Sequence, residues 1–384
     1  MHFISILFLY FSNKKINTNL RIKVATIAIS IFFLLFLVFF IKPASSTGRI
    51  FIYKISYNIF EKNYFSGIGS GKFPGVYGQF QAHYFQTKPY TKNEFLNADN
   101  VFYAFNDYLQ FSIEQGIFGA TLIVVIISMI YKMSIFAIRV RQNDCILKLC
   151  VSFILMVLCA AFTTHTFDST IILIFLSISL GYIFLCSLPM ALSDSSRLKY
   201  LILLCLIIWF LPMSNYFINL QNSRDFKHAN DLASMGYILE SKSICDELWP
   251  KMKDNQDYLL MYCNSFEQSS DPIKYAYILN KTLVQRYDYT ILIKLGRTYE
   301  KLGRTDQALK SYLAAVNLVP NRFKSRFTLF EFYLRNHQLK MAKLQGNFIL
   351  QMPVKINSIQ VEHIKREVKN MLNTHGLMTD VYDN

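Results

Sequence analysis

Residues 104–138, AFNDYLQFSIEQGIFGATLIVVIISMIYKMSIFAI, pass from polar to apolar within a few helical turns. Asn106, Asp107 and Glu114 come first. Then Ile117–Ile138 runs with Lys132 as its single charge. A helix of that length crosses a hydrocarbon core of about 30 Å at about 1.5 Å per residue. The stretch therefore sets a polar cluster at a membrane interface and leads directly into a span.

Four more runs flank it. Residues 24–41, VATIAISIFFLLFLVFFI, carry no charge; Cys145–Phe162 holds Lys148 near its start; Thr170–Leu192 and Leu198–Leu220 complete the set. One soluble core could not hide so many apolar helices, so the sequence predicts an all-α, polytopic membrane protein with five spans. MHFISILFLYFS at the start is too short to span, and Lys14 and Lys15 follow it where a secretory signal would have them in front. It reads as the tail of a partial sixth span whose beginning lies upstream, or as a short interfacial segment.

Composition agrees. The 384 residues are 53% hydrophobic and 17% charged, against about 25% charged in ordinary soluble domains, which excludes intrinsic disorder. The net charge of +15 suits either nucleic acid or cationic inner loops, and position separates the two. Lys14, Lys15, Arg21 and Lys23 precede the first span; Arg139 and Arg141 outweigh Asp144; Arg197 and Lys199 outweigh Asp194. The positive-inside rule puts these segments in the cytoplasm. Residues 42–116, the turn 163–169 and everything after Leu220 then lie outside, and no nucleic-acid partner is expected. The expected divisions are 1–23 (partial span and cytoplasmic segment), 24–41 (span), 42–116 (large external loop), 117–220 (four spans), 221–373 (soluble helical domain) and 374–384 (frayed tail).

Residues 292–320, LIKLGRTYEKLGRTDQALKSYLAAVNLVP, resemble a tetratricopeptide (TPR) repeat. Leu295-Gly296 and Tyr299 mark its first helix, Gly303 its turn, Ala308, Tyr312 and Ala315 its second helix, and Pro320 its end. A weaker copy follows with Leu329, Tyr333, Ala342 and Pro353, and Asp231–Phe266 offers a further helix pair. The expectation is a TPR-like solenoid, serving as a protein-binding surface or simply as a packing module.

The cysteines at 145, 150, 159, 186 and 205 lie in or at spans and read as small apolar residues. Cys245 and Cys263 fall in the external part, where a disulfide is chemically allowed.

The loop between the first two spans, about 70 residues, is long for a passive connector. Ile52, Ile55, Ile59 and Phe60 predict an amphipathic helix along the membrane surface with Arg49 at its start. Gly67, Gly69 and Gly71 follow in SGIGSGKF, which permits tight turns or close backbone approach to a ligand. Phe73 after Lys72 excludes a nucleotide phosphate loop, which needs Ser or Thr there. His165 and Asp168, in the short outer turn, either border a site or cap spans.

Gly48-Arg49, Gly67-Ile68-Gly69 and the run Phe105-Asn106-Asp107-Tyr108-Leu109-Gln110…Glu114-Gln115-Gly116 together resemble the second half of the O-antigen ligase / O-antigen polymerase superfamily, some members of which carry a C-terminal TPR region. The resemblance implies a metal-independent glycosyltransferase of the bacterial inner (cytoplasmic) membrane, without a cofactor. It would move a glycan from an undecaprenyl-diphosphate carrier to lipid A–core, a growing glycan or a protein at the periplasmic face. Arg49, Lys54, Gly67, Gly69 and Lys72 are the implied substrate-binding set. Arg49, His83, Asn106, Asp107 and Glu114 are the candidate catalytic residues. The sequence departs from the family at Phe105, where the family has His, so the general base stays open among His83, Asp99, Asp107 and Glu114. Upstream spans and a further functional Arg of the family are also missing. The alternative function is a non-catalytic membrane scaffold whose repeats recruit envelope polysaccharide-assembly proteins.

Overall fold

The computed structural model describes residues 43–187, 213–267 and 271–377. The apolar runs at 1–12 and 24–41, residues 198–212 of the fifth run, and most of the tail lie outside the described residues. Every described element is helical. The chain divides into two compact units, one holding residues up to 70 together with 103–217, the other holding 71–102 together with 218–384.

In the first unit α1 (Pro43–Lys62) is followed by α4 (Asp107–Val140), α5 (Cys145–Ala160) and α6 (Thr170–Ser187). Helices α4 and α6 are long and apolar enough to cross a membrane, and protein covers little of their surface. Such a surface suits lipid rather than water. Helix α5 is apolar but spans only 16 residues. These two membrane-spanning candidates and one shorter apolar helix stand where three of the five runs were read. At the α4–α5 corner, Asp144 caps α5 by accepting from the Leu147 N–H at 2.9 Å, and its other oxygen takes the Tyr182 hydroxyl at 2.8 Å.

Helix α1 begins six residues ahead of Arg49, which therefore sits inside the helix rather than at its start. Its stripe is Phe51, Ile52, Ile55 and Ile59, all buried, while Phe60 is only partly so. The stripe has a protein partner, because α1 packs on α4. The residues expected to face a membrane surface are thus covered within the unit.

The second unit contains a helix hidden in what the sequence presents as loop. Lys72-Phe73-Pro74 opens α2 (Phe73–Thr87), with proline in the first turn, where its missing N–H costs nothing. The short α3 (Lys92–Asn97) follows, fixed by a Thr91/Glu94 capping box. The remainder is α7 (Met213–Ser234) from residue 218 onward, α8 (Ile238–Met252), α9 (Gln256–Phe266), α10 (Pro272–Gln285), α11 (Tyr289–Lys301), α12 (Thr305–Leu318), α13 (Phe323–Arg335), α14 (Leu339–Gln351) and α15 (Ile359–Thr374). From α8 onward each helix packs on the next, and α11 and α13 also touch the helix two further along.

Helix α2 packs on α10 and α12. Gly75 and Gly78 make this possible. A Cβ at Gly78 would fall 2.6 Å from the Tyr287 Cβ, and one at Gly75 would fall 2.9 Å from the Val284 carbonyl carbon and closer still to its oxygen. Gln81, fully buried, donates to the carbonyls of Leu318 (2.6 Å) and Asp99 (3.0 Å). Residues 42–116 are therefore shared between the two units rather than forming one loop domain, because 71–102 find their apolar partners among the C-terminal helices.

Gly296 on α11 faces the buried ring of Tyr312 on α12, and a Cβ there would lie 2.7 Å from the ring Cζ. Tyr312 donates to Glu300 Oε2 at 2.6 Å. Cys245 on α8 and Cys263 on α9 carry free thiols, both buried, so the pairing allowed by the sequence is not formed. Each thiol has its own place in the core, with Cys263 Sγ 3.1 Å from Thr282 Oγ1.

Candidate functional site

Gly116 interrupts α4 with φ +68° and ψ −156°. A break inside a helix frees carbonyls and N–H groups that must find new partners. The turn after α1 supplies them. Ile68 N donates to the Ile113 carbonyl (3.1 Å), Gly69 N donates to the Glu114 carbonyl (2.9 Å), and Ile117 N donates to the Tyr64 carbonyl (2.7 Å). Gly67 and Gly69 both adopt positive φ. The two backbones approach so closely that a Cβ at Gly67 would lie 2.6 Å from Gly116 N and nearer still to the Glu114 carbonyl oxygen. The glycine-rich segment is thus a clasp on α4. Its close approach is to the protein's own backbone.

The clasp fixes how the first turns of α4 meet the membrane-length part of the helix. A cavity of about 420 Å³ opens there. Asp107, Gln110, Glu114 and Asp168 form its polar side, while Phe111, Ile123, Ile126, Leu158 and Phe167 form much of its apolar side. Ile127 and Leu158 also line a neighbouring apolar cavity of about 300 Å³ along α4 and α5. The arrangement is amphipathic: carboxylates and an amide at one end, hydrocarbon walls leading away from it.

Several polar groups here have structural partners. Asn106 caps α4, its Oδ1 accepting from the Leu109 N–H at 3.0 Å. Asp107 Oδ2 accepts from the N–H groups of Thr166 (2.7 Å) and Phe167 (3.2 Å), which ties the outer turn to the start of α4. Glu114 is 8% exposed and accepts from Gln110 Nε2 at 3.4 Å.

Phe105, just before this helix, adopts φ +52°. A bulky side chain in the left-handed region costs about 1–2 kcal/mol and persists where surrounding bonds over-determine it. The Tyr53 hydroxyl donates to the Phe105 carbonyl at 3.2 Å, Ala104 N donates to Gln110 Oε1 at 3.1 Å, and Asp107 N donates to the Ala161 carbonyl at 2.8 Å. The Arg49 guanidinium lies 5.6 Å from the centre of the Phe105 ring. On another side, the His165 imidazole lies 6.0 Å from the Phe105 ring and stacks on Tyr103 at 4.4 Å. Burial pushes the Tyr53 phenol up, with Arg49 pulling the other way, so the hydroxyl stays a donor.

The structure thus gathers Arg49, Gly67, Gly69, Asn106, Asp107 and Glu114 in one unit. It adds His165 and Asp168, which the sequence placed in the short outer turn as residues that either border a site or cap spans. No local pattern signals His165; its stacking on Tyr103 arises from a contact across the fold. Lys54 is exposed on α1. His83 and Lys72 belong to the other unit, where His83 is exposed on α2 and Lys72 precedes that helix.

A family model described as O-Antigen ligase matches residues 2–124. The matched segment contains Arg49, the glycine clasp, Phe105, Asn106 and Glu114, and ends inside α4. At a coarse level the match supports a ligase- or polymerase-like reading of that segment. Helices α4 and α6 fit membrane insertion. No curated protein matches the chain.

Proposed function

We propose that this chain, similar over residues 2–124 to the O-antigen ligase family, transfers a glycan from an undecaprenyl-diphosphate carrier to an acceptor hydroxyl at the periplasmic face of the bacterial inner membrane. The observation that carries this reading is the amphipathic cavity at the clasped start of α4. Its carboxylates suit the hydroxyls of a sugar, and its apolar continuation along α4 and α5 suits a prenyl chain.

The acceptor hydroxyl attacks the anomeric carbon. The bond from that carbon to the diphosphate oxygen breaks, and the electron pair leaves with the diphosphate. Arg49 grips the developing charge with its planar fork. Its contact with the Phe105 ring holds the guanidinium without neutralising it. A base must accept the acceptor's proton. Three carboxylates at the cavity and the nearby His165 are the groups in place for it, and His165 is our choice over His83 because it shares the unit with Arg49. Asp107 is a positioning residue, since one of its oxygens already holds the outer turn. Lys54 would steer the anionic donor, and lipid A–core, a growing glycan or a protein would serve as acceptor. The helical unit, read as a TPR-like solenoid, would recruit protein partners.

Reconstituted full-length chain supplied with a lipid-linked glycan tests the reading. Transfer that falls at least 100-fold in Arg49→Ala and less in Arg49→Lys supports it. Wild-type transfer by Arg49→Ala refutes the assigned role. Absence of transfer together with capture of a polysaccharide-assembly protein by the helical unit favours the scaffold reading.

A further inference from the structure

A separate cavity, of about 430 Å³, lies wholly within the helical unit. Asp99 from the segment after α3, Tyr289 at the start of α11, Arg322 and Lys324 at the start of α13, and Lys355 and Ser358 ahead of α15 line it. Its floor is held in place by Asn321, whose Nδ2 donates to the carbonyls of Phe95 (2.9 Å), Leu96 (2.9 Å) and Ala98 (3.0 Å). The site is therefore built before any ligand arrives.

The charges do not cancel. Arg322 Nη2 lies 2.8 Å from Asp99 Oδ1, which matches that carboxylate. Lys324 and Lys355 are exposed, and their ammonium groups form no ion pair among the described residues. Two uncompensated cations around a concavity attract an anion. The rest of the wall is unlike a site for a bare phosphate. The Tyr289 ring, which carries Arg322 at 5.5 Å from its centre, and the side chains of Ile356 and Val361 offer apolar faces, while Gln360 and Ser358 offer an amide and a hydroxyl. A pyranose bearing a carboxylate or phosphate has matching parts: a C–H face for the ring, hydroxyls for the amide, an anion for the lysines.

We propose that the helical unit holds a binding site for an acidic saccharide, formed by Lys324, Lys355, Arg322 and Tyr289. The site is independent of the transfer chemistry, so its test needs no turnover.

Calorimetric titration of the full chain in detergent micelles, with three probes, decides it. A galacturonic acid trisaccharide should bind saturably at one site per chain. Maltotriose should bind at least 10-fold more weakly, and inorganic pyrophosphate should also be the weaker ligand. The double variant Lys324→Gln/Lys355→Gln should lose at least about 10-fold in affinity, in line with loss of two charge-assisted contacts, Lys324→Arg/Lys355→Arg should keep it, and Tyr289→Ala should lose several-fold, in line with loss of one aromatic contact. Arg49→Ala should bind the trisaccharide as the parent does, which separates this site from the junction cavity. Pyrophosphate binding as tightly as the trisaccharide, no saturable trisaccharide binding, or an unchanged affinity in the glutamine double variant would each overturn the proposal. The lysines are exposed, so a parent-like melting profile is expected for both double variants, and the arginine pair keeps the test open if the glutamine pair unfolds.

Discussion

Replacing Gly67 by alanine separates two effects that usually travel together, and neighbouring glycines supply the controls. At Gly67 the backbone has φ +69°, which costs an alanine about 1–2 kcal/mol. The new Cβ would also lie 2.6 Å from Gly116 N and nearer to the Glu114 carbonyl. Those atoms are backbone and cannot rotate away. Relieving the overlap must pull the turn off α4 and weaken the bonds from Ile68 N to Ile113 and from Gly69 N to Glu114. Two backbone bonds, with their acceptors left unsatisfied, add about 2–4 kcal/mol. The total is about 3–6 kcal/mol for opening the clasp. Gly71 has nearly the same φ, +71°, with nothing within 4 Å, so Gly71→Ala should show only the conformational cost of about 1–2 kcal/mol. Gly48 lies in α1 with open space around it, and Gly48→Ala should gain about 0.5–1 kcal/mol. Trypsin cleavage after Lys62 in detergent micelles reads the open population, provided opening and closing outpace cleavage. The expected acceleration is at least about 100-fold for Gly67→Ala and about 5- to 30-fold for Gly71→Ala. Equal cleavage rates for the two variants would refute the claim that this turn is a backbone clasp.

Asp107→Ala removes the acceptor for the Thr166 and Phe167 N–H groups and should cost about 1–3 kcal/mol in thermal stability, whereas Asp107→Asn, which keeps one acceptor oxygen, should cost clearly less. Gly296→Ala drives a methyl into the buried Tyr312 ring and should destabilise the helical unit by about 1–3 kcal/mol, seen as an earlier melt. Burial pushes the thiols of Cys245 and Cys263 up to about 11 from an ordinary value of 9.0. Because the folded values are raised, this contribution to stability is fully present below about pH 9 and is lost as pH climbs toward 11. Both thiols should resist alkylation at pH 8 in the folded chain and react on unfolding, and prompt labelling of the native chain would contradict their burial.

Much of this protein is written in local pattern. The uniform apolarity of 117–138 and 170–187 leaves a helix as the only form that satisfies its own backbone in hydrocarbon. The Leu295-Gly296…Tyr312 spacing likewise dictates a close helix pair, because a residue without a Cβ must face the large ring. The glycines as sites of close approach were also legible, since that follows from one residue's covalent geometry, whereas Asn106, read as part of an interfacial polar cluster, emerged as the cap of α4 only in the fold. What those glycines approach was not legible. Gly67 meets Gly116 because two segments far apart in sequence must satisfy the groups freed by a broken helix, and only the fold brings them together. The same holds for α2, whose Gly75 and Gly78 look like loop glycines until the end of α10 lies against them. It holds also for His165, set beside Phe105 by the bond of Asp107 to the outer turn. Local sequence decided which segments are helices and which residues carry charge; the tertiary structure decided which of those charges face one another, because long-range packing has no period to read.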